Sequence, residues 1–256
     1  MKILQINEIR KAYFLEAFNR PVEDMLIVSM GACNYNCPYC KRDGQFKGSG
    51  NAITNAYDIT TDEIIRIIDR HISIGHKIRL SGGDPCMFPR ESLQIAEYCA
   101  DMHGKKISLA HNGSSPSFIR SLLPYLDYVA IDFKGATPDE IARRSSTTVN
   151  PSSIDNIIQI IDMCQQANVL VDVRTVIFGD TTMDDLDRIA GRLTGYNNIF
   201  WTLRKYSPID GCNFLPALND IRFMADYLSN TYGLPVGYRD KWIGCNFYIA
   251  GFRKTG

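Results

Sequence analysis

Short apolar runs alternate with amphipathic stretches along residues 25–239 of the chain. The short runs are rich in β-branched residues and end at glycine or polar residues, which predicts buried strands; they cover residues 25–30, 77–81, 106–110, 128–133, 169–178, 199–206 and 236–239. Between them, apolar residues recur with the period of a helix, over residues 60–74, 90–103, 115–123, 137–144, 152–166, 182–194 and 217–232. Strands that alternate with helices predict a parallel sheet with right-handed crossovers.

The number of these repeats defines the expected fold. About six strand–helix units are too few for a complete eight-stranded barrel. We therefore expect an α/β fold, a partial (β/α)6 TIM-like barrel whose parallel sheet is open on one side. Residues 1–24 have only a weak pattern, and residues 41–58 have the glycine, serine and asparagine content of a long loop. The predicted organisation is an N-terminal extension at 1–24, the barrel core at 25–210, and a C-terminal extension at 211–256 that covers the barrel.

Polar residues follow the predicted strands at the point where each strand ends. Asp84, Asn112 and Asp132 have such positions, as do Arg174 and Tyr206. In parallel α/β folds the functional site lies at the carboxyl ends of the strands. Strand ends also carry polar caps without a further role, but their recurrence on consecutive strands favours one shared site at this edge.

Charge and composition narrow the classes of function. The 256 residues include 28 Lys and Arg and 28 Asp and Glu, so the formal net charge is zero and no overall charge favours nucleic acid as a partner. No apolar run approaches the ~20 residues of a membrane helix, and the N-terminus lacks the apolar segment of a secretory signal. We therefore expect a cytoplasmic protein without a membrane or nucleic-acid partner.

Three of the eight cysteines stand close together, directly after the first predicted strand. Cys33, Cys37 and Cys40 have the spacing C-x3-C-x2-C, and thiolates are ligands of zinc and of iron–sulfur clusters. A closed zinc site needs a fourth protein ligand, and no further Cys or His is near in sequence. Three thiolates on a cubane cluster instead leave one iron open to a substrate or cofactor. The alternatives are a zinc site completed from a distant segment and three unrelated core thiols.

This cysteine loop, with the aromatic Tyr39 before its third cysteine, resembles that of the radical S-adenosylmethionine (SAM) superfamily. The resemblance extends over about residues 25–210. It implies that Cys33, Cys37 and Cys40 hold a 4Fe–4S cluster, whose open iron binds the amino and carboxyl groups of SAM. It further implies that one electron cleaves SAM to methionine and a 5′-deoxyadenosyl radical, which abstracts a hydrogen atom from a substrate.

Two further motifs are similar to those of the same superfamily. The segment Ser81-Gly82-Gly83-Asp84-Pro85, after the second predicted strand, resembles the Gly-Gly-Glu-Pro motif. This implies that Gly82, Gly83 and Asp84 contact the SAM ammonium, and glycine there lets the backbone approach a ligand closely. Asn112 follows the third strand as the asparagine of Thr-Asn-Gly does in many members.

Later strand ends resemble the glycyl-radical activating enzymes in particular. The segment Asp132-Phe133-Lys134 is similar to their Asp-x-Lys motif, and Arg174 matches the arginine that contacts the SAM carboxylate there. Tyr206 matches the first residue of a Tyr-His pair, although Ser207 replaces the histidine that contacts the ribose. The resemblance implies cofactor contacts at Asp132, Lys134, Arg174 and Tyr206, and at Tyr39 in the cysteine loop.

The resemblance leaves the reaction open between two kinds of enzyme. An activase of the type that serves anaerobic ribonucleotide reductase or pyruvate formate-lyase would abstract a glycine hydrogen from a large partner protein. A tailoring enzyme (an epimerase, dehydrogenase or cyclase) would act on a small metabolite, nucleoside or peptide. Lys41, Arg42 and Ala110 depart from the activase pattern. Either enzyme needs an electron donor such as flavodoxin or ferredoxin, and a non-enzymatic zinc-binding scaffold is the alternative of another class.

The five remaining cysteines are scattered and have no short spacing typical of a second cluster. Cys99 and Cys164 lie in predicted helices, where buried apolar thiols are common. A thiol near the top of the barrel could donate a hydrogen atom to a substrate radical, as in some radical SAM epimerases. Cys212 and Cys245 are the candidates for this role, and an ordinary loop or core thiol is the alternative.

Overall fold

The computed structural model describes residues 1–40, 56–239 and 248–250 of the chain. Within these residues, ten strands form a single sheet and seven α-helices pack around it. The strands are β1 (Lys2–Lys11), β2 (Asp24–Met30), β3 (Tyr57–Asp58), β4 (Lys77–Gly82), β5 (Ile107–His111), β6 (Leu126–Asp132), β7 (Leu170–Ile177), β8 (Ile199–Lys205), β9 (Val236–Arg239) and β10 (Tyr248–Ala250). The helices are α1 (Thr61–Ser73), α2 (Pro89–His103), α3 (Pro116–Leu122), α4 (Pro138–Ser145), α5 (Ser153–Gln166), α6 (Met183–Leu193) and α7 (Ile221–Tyr232). None of the helices in this described part of the chain is both long and apolar enough to cross a bilayer.

The strand order across the sheet is β10-β9-β8-β7-β6-β5-β4-β2-β1-β3. Strand β2 and the strands from β4 to β9 run parallel to one another, whereas β1 and β10 pair antiparallel with β2 and β9 at the two ends of this set. Helices connect these consecutive strands, which confirms the expected α/β fold with six strand–helix units, and β9 adds a seventh parallel strand. Over the described residues the sheet stays open, because β3 and β10 stand at opposite ends of the order.

Strand β1 is an element that the hydrophobic pattern did not predict. It pairs antiparallel with β2, and its register shifts between Ile3 and Gln5 and again between Gln5 and Glu8. Each irregularity interrupts the two-residue alternation of buried and exposed side chains, which explains the weak pattern of residues 1–24. Strand β3 pairs with β1. Its two residues, 57 and 58, were predicted as the end of a long loop, so this part of the prediction is wrong. Residues 41–55 of the predicted loop lie outside the described residues.

Helix α1 shows how the sequence positions the outer layer. The Thr60 side chain accepts a hydrogen bond from the Glu63 N–H, and the Glu63 carboxylate accepts one from the Thr60 N–H. This reciprocal capping box satisfies two donors that the start of a helix leaves unpaired. Ile64, Ile68 and Ile72 then form one buried face, and each such side chain contributes roughly 1.5–3 kcal/mol through burial.

Alternate residues of the parallel strands face the inside of the barrel. In β4, Ile78 and Leu80 belong to the core beneath the helices, whereas Arg79 and Ser81 line the interior cavity. In β7 the same alternation places Arg174 in the interior. The apolar core therefore lies between the sheet and the helices, and polar side chains line the barrel interior.

The floor of the barrel is an apolar layer at the amino ends of the strands. The ring of Phe14, which follows β1, lies 5.4 Å from the ring of Tyr128 and 6.3 Å from that of Phe200, measured between centroids. Met25 and Ile27 pack into the same cluster. Such contacts between offset aromatic rings are favourable beyond the area they bury. The residues before β2 thus help to fill the base of the barrel.

An ion-pair network ties this N-terminal segment to the sheet. The Arg20 guanidinium makes two hydrogen bonds to the Asp127 carboxylate, at 2.9 and 2.7 Å. Lys77, the first residue of β4, donates to Asp127 Oδ2 at 2.6 Å. Burial opposes the charge of Asp127, but the hydrogen bonds from Arg20 and Lys77 outweigh it and lower the pKa of this carboxyl to about 2.

Asp127→Asn is expected to lower the free energy of unfolding by about 2 kcal/mol at pH 7, because a depressed pKa stabilises the folded state by about 1.4 kcal/mol per unit. The contribution is present above the unfolded pKa, near the ordinary value of 3.8, and is lost as pH falls toward the folded value of about 2. Urea unfolding at several pH values measures the difference. The exposed Asp101→Asn is the matched control, and equal midpoints for wild type and Asp127→Asn at pH 7 would contradict the prediction.

Candidate active site

The loop after β2, residues 31–40, carries the three cysteines of the sequence motif. Its first residue, Gly31, donates a backbone hydrogen bond to β1 at 2.8 Å, and Asn36 donates one to the last residue of α4 at 2.9 Å. Cys33 is buried, and Cys37 and Cys40 are partly buried. All three line one cavity of about 540 Å³ in the barrel interior. The fold therefore holds the cysteine loop over the opening of the barrel.

Two glycines at the end of β4 bring the following turn against this cysteine loop. Gly82 has a φ of +100°, a conformation that strongly favours glycine. A Cβ on Gly82 would lie 2.2 Å from the Met30 nitrogen, and one on Gly83 would lie 1.9 Å from the Ala32 carbonyl oxygen. Packing between the two loops therefore requires glycine at both positions; the approach of a ligand to these glycines stays a prediction.

Asp84 is a buried carboxylate beside the cysteine loop. It accepts hydrogen bonds from His111 Nδ1 at 2.8 Å, from the Asn112 N–H at 2.8 Å and from the Cys86 N–H at 3.0 Å. Burial opposes its charge, but the His111 imidazole and these hydrogen bonds outweigh burial and hold the pKa of the carboxyl below its ordinary value. Asp84 is therefore a fixed negative charge on the cavity wall.

Asn112 connects the end of β5 to the same loop. Its Nδ2 donates to Asn34 Oδ1 at 2.6 Å, and Asn34 Nδ2 in turn donates to Ser114 Oγ at 2.8 Å. These hydrogen bonds orient the side-chain amides of Asn34, which follows β2, and of Asn112, which follows β5. The cysteine loop is held from β4 and from β5 at once.

Asp132 and Lys134 form an ion pair at the end of β6, with 2.8 Å between Oδ2 and Nζ. Lys134 Nζ also lies 5.8 Å from the centroid of the Tyr39 ring. Burial opposes the charge of Asp132, but Lys134 and Arg204 outweigh burial and lower the pKa of this carboxyl. The motif therefore places a paired carboxylate and ammonium next to the cysteine loop.

Arg174 enters the cavity from β7 and is held by an acid two residues earlier. Its Nε donates to Asp172 Oδ2 at 2.6 Å, and Asp172 also accepts from the Thr202 hydroxyl on β8. This explains how a buried strand accommodates a guanidinium, because a buried charge needs a hydrogen-bonded partner. The motif resemblance indicated Arg174 but not its partner, Asp172.

Tyr206 packs in an aromatic cluster beside the cysteine loop. The centroid of its ring lies 5.0 Å from that of Phe178 and 6.4 Å from that of Tyr39. Cys212 is partly buried against this cluster and is not among the described residues that line the cavity. Cys245 lies outside the described residues. Hydrogen donation by either cysteine stays a prediction.

The structure brings together all twelve residues that the sequence assigned to the cluster or to SAM. They line one cavity and come from the cysteine loop, from the middle of β7 and from the ends of four other strands: Cys33, Cys37, Tyr39, Cys40, Gly82, Gly83, Asp84, Asn112, Asp132, Lys134, Arg174 and Tyr206. The cavity also has polar residues to which the sequence assigned no role: Arg10, Arg79, His111 and Arg204. The alternation of side chains between the two faces of a strand could have indicated two of these residues. It puts Arg79 on the same face of β4 as Ser81, and Arg204 on the same face of β8 as Thr202.

The set of ligand atoms in this cavity fits a multi-iron cluster. Within the described part of the chain, three residues bring potential metal-ligating atoms within 4.8 Å of one another: Asp84, Cys86 and His111. The sulfurs of Cys33, Cys37 and Cys40 are more widely spread. Three separated thiols around one cavity suit three corners of a cubane better than one tetrahedral zinc ion, whose ligands converge on a single point.

Residues 27–193 match the family model of the Radical SAM superfamily, and the match includes the three cysteines and the ends of β2 to β7. The chain belongs to the radical SAM superfamily. It is therefore an enzyme, and its cofactors are a 4Fe–4S cluster and SAM. The prediction of an enzyme is confirmed, which removes the non-enzymatic zinc-binding scaffold from the alternatives.

Proteins that are similar to this chain in sequence have names that give different activities. A protein of Methanocaldococcus jannaschii named as a candidate glycyl-radical enzyme activating enzyme is 30% identical over 176 residues, 68% of this chain and 69% of the relative. The 7-carboxy-7-deazaguanine synthase of Methanothermobacter thermautotrophicus is 27% identical over 174 residues, 66% of this chain and 67% of the relative. The two relatives therefore differ in the reactions that their names give.

Solved structures share the fold at low identity. SuiB of Streptococcus suis bound to S-adenosylmethionine superposes with a TM-score of 0.64 at 13% identity, over 88% of this chain and 53% of that chain. At this identity the similarity establishes a common radical SAM fold. The partial barrel expected from the sequence is thereby confirmed.

Proposed function

We propose that this radical SAM enzyme cleaves SAM reductively and abstracts a hydrogen atom from a small molecule bound inside its barrel. The observation that carries the proposal is that the three thiols and the polar strand-end residues line one cavity of about 540 Å³, a volume typical of small-molecule sites. When bound, the cluster would supply the one electron that cleaves SAM to methionine and a 5′-deoxyadenosyl radical. This radical would abstract a hydrogen atom from the substrate, which yields 5′-deoxyadenosine and a substrate radical.

The residues of this chain have distinct parts in the proposal. Cys33, Cys37 and Cys40 hold the cluster through their thiolates. We assign to Asp84, fixed by three hydrogen bonds, a hydrogen bond from the SAM ammonium, and to Arg174 the contact with the SAM carboxylate. The proposed cofactor contacts also include Tyr39, Gly82, Gly83, Asn112, Asp132, Lys134 and Tyr206.

A small-molecule substrate is supported by the shape of the interior. The cavity continues below the motif residues to Arg79 and to Met25 of the floor, beyond the residues that we assign to the cluster and to SAM. The similarity to a relative named 7-carboxy-7-deazaguanine synthase agrees with chemistry on a small molecule. A tailoring reaction is therefore our first candidate.

Activation of a glycyl-radical enzyme is the second candidate. It is favoured by the relative named as a candidate activating enzyme and by the Asp132-Phe133-Lys134 segment after β6. In that case the substrate would be a glycine of a partner protein. Incubation with a partner would then produce a protein-bound glycyl radical detectable by electron paramagnetic resonance (EPR), whereas a tailoring enzyme produces none.

The proposal also includes an electron donor, a catalytic core with two extensions, and a cellular compartment. An enzyme of this superfamily needs an electron donor, and we propose flavodoxin or ferredoxin. We further propose residues 25–210 as the catalytic core, with extensions at 1–24 and 211–256, and a reducing compartment such as the cytoplasm, where thiol ligands stay reduced.

Anaerobic reconstitution tests the reductive cleavage. Purified protein loaded with iron and sulfide, then incubated with SAM and dithionite, is expected to form 5′-deoxyadenosine and methionine in equal amounts, measured by liquid chromatography. Omission of dithionite is the control, because the cleavage consumes an electron. A protein that contains the cluster but forms no 5′-deoxyadenosine above this control would refute the proposal.

A further inference from the structure

Arg79 is a buried cation whose guanidinium is incompletely satisfied. Its side chain projects from β4 into the cavity, and the residue is only 3% exposed. Nη1 contacts the Met25 sulfur at 3.6 Å, a weak acceptor, and Nη2 is buried without a hydrogen-bond partner. Buried arginines are normally paired and hydrogen-bonded. The site of Arg79 therefore lacks an acceptor that a ligand can supply.

The cavity that Arg79 faces is strongly positive, although the whole chain has no net charge. Among the described residues that line it, eight are basic and three are acidic. Each acidic side chain already has a basic or imidazole partner within the protein. These pairs are Asp132–Lys134, Asp84–His111 and Glu8–Arg10.

Five arginines on five different strands converge on this interior. They are Arg10 on β1, Arg79 on β4, Arg174 on β7, Arg204 on β8 and Arg239 on β9. Burial and the charges of Arg174 and Arg10 lower the pKa of Arg79 to about 9. Burial, Arg174 and Arg239 lower the pKa of Arg204 as well. Like charges that lie close together in a buried site repel one another, and a bound anion would relieve this repulsion.

SAM does not account for this excess of positive charge. It has one carboxylate, which the proposed contact with Arg174 uses, and it also brings an ammonium and a sulfonium. Bound SAM therefore adds no net negative charge to the cavity. The buried Nη2 of Arg79, which has no hydrogen-bond partner, is therefore open to an anion of another molecule.

We propose that the barrel interior binds an anionic small-molecule substrate through its oxyanion group, a phosphate or a carboxylate, with Arg79 as the contact nearest the floor. This rests on the proposed function, which places the substrate in the barrel. The planar guanidinium fork matches two oxygens of either group. The arginines of β8, β9 and β1 continue this surface, so that a substrate with more than one negative charge fits best.

Calorimetric titration of simple anions tests this assignment. The reconstituted enzyme is saturated with SAM, without a reductant, and titrated with inorganic pyrophosphate in one arm and malonate in the other. We expect saturable binding of at least one probe, and Arg79→Gln is expected to weaken it roughly ten- to a hundredfold, as loss of a charged hydrogen bond does. Tighter binding of pyrophosphate assigns a phosphate, and tighter binding of malonate assigns a carboxylate.

Two further variants make the result decisive. Arg188→Gln removes an exposed arginine of α6 and is expected to bind the probes as the wild type does. Arg79→Lys keeps the charge and is expected to retain part of the affinity, and it replaces Arg79→Gln as the test if the latter takes up no iron. Absence of binding to the wild type, or equal binding by wild type and both Arg79 variants, would overturn the assignment. Formation of 5′-deoxyadenosine by the wild type tests the proposed function separately.

Discussion

Cys37→Ala is expected to lose SAM cleavage completely, with 5′-deoxyadenosine at the level of a reaction without protein. Cys37 is one of three thiols around the cavity, and two thiolates do not hold a cubane that already has one open iron. Iron analysis after anaerobic reconstitution should therefore find far less than the four irons per chain of the intact cluster. The visible absorbance of the cluster should fall in parallel.

Cys164→Ala is the matched control for this variant. Cys164 is a buried thiol in α5, within the core beneath the sheet, and it does not line the cavity. Its loss removes one sulfur atom at a modest cost in packing and is expected to leave iron content and SAM cleavage close to those of the wild type. Retention of the cluster and of 5′-deoxyadenosine formation by Cys37→Ala would show that Cys37 is not a ligand.

Gly83→Ala is expected to disrupt the site without removing any ligand or charge. Its Cβ would lie 1.9 Å from the Ala32 carbonyl oxygen, and this neighbour is backbone that cannot rotate away. The clash opens the hydrogen bonds that join Gly83 to Met30 and Asp84 to Ala32. We expect a loss of at least about 3 kcal/mol in the free energy of unfolding, together with low cluster content, measured by urea unfolding and iron analysis.

The same substitution at Gly191 is the control, because it adds the same methyl group in a different setting. Gly191 lies within α6, and a Cβ there meets nothing within 4 Å. Gly191→Ala should therefore stabilise the protein by roughly 0.5–1 kcal/mol, the difference in helix propensity. A Gly83→Ala protein as stable and as rich in iron as Gly191→Ala would contradict the packing described for the two loops.

The parallel core was predictable because its information is local. Each strand from β2 to β9, apart from the short β3, is a compact apolar run, and five of the seven described helices begin at a side chain that caps them. The residues assigned to the cofactors came from motifs at or near strand ends, which a parallel sheet gathers at one edge. The twelve assigned residues line one cavity for this reason.

The features that escaped prediction depend on contacts between distant segments. Strand β1 has two register shifts, so its role shows only in its pairing with β2. The need for Gly82 and Gly83 comes from the backbone of residues 30–32, which no local pattern contains. Arg79 reads as one charged residue in an apolar strand, and its significance appears only when four other strands bring arginines to the same interior.

Three cysteines are expected to hold a cluster that has one iron open to SAM. EPR spectroscopy of the reconstituted and reduced protein, before and after addition of SAM, measures this binding at the iron itself. We expect a reduced-cluster signal whose g values change when SAM is added, because SAM binds the iron that lacks a protein ligand. Identical spectra with and without SAM, or a protein that binds zinc and gives no cluster signal, would contradict this assignment of the three cysteines.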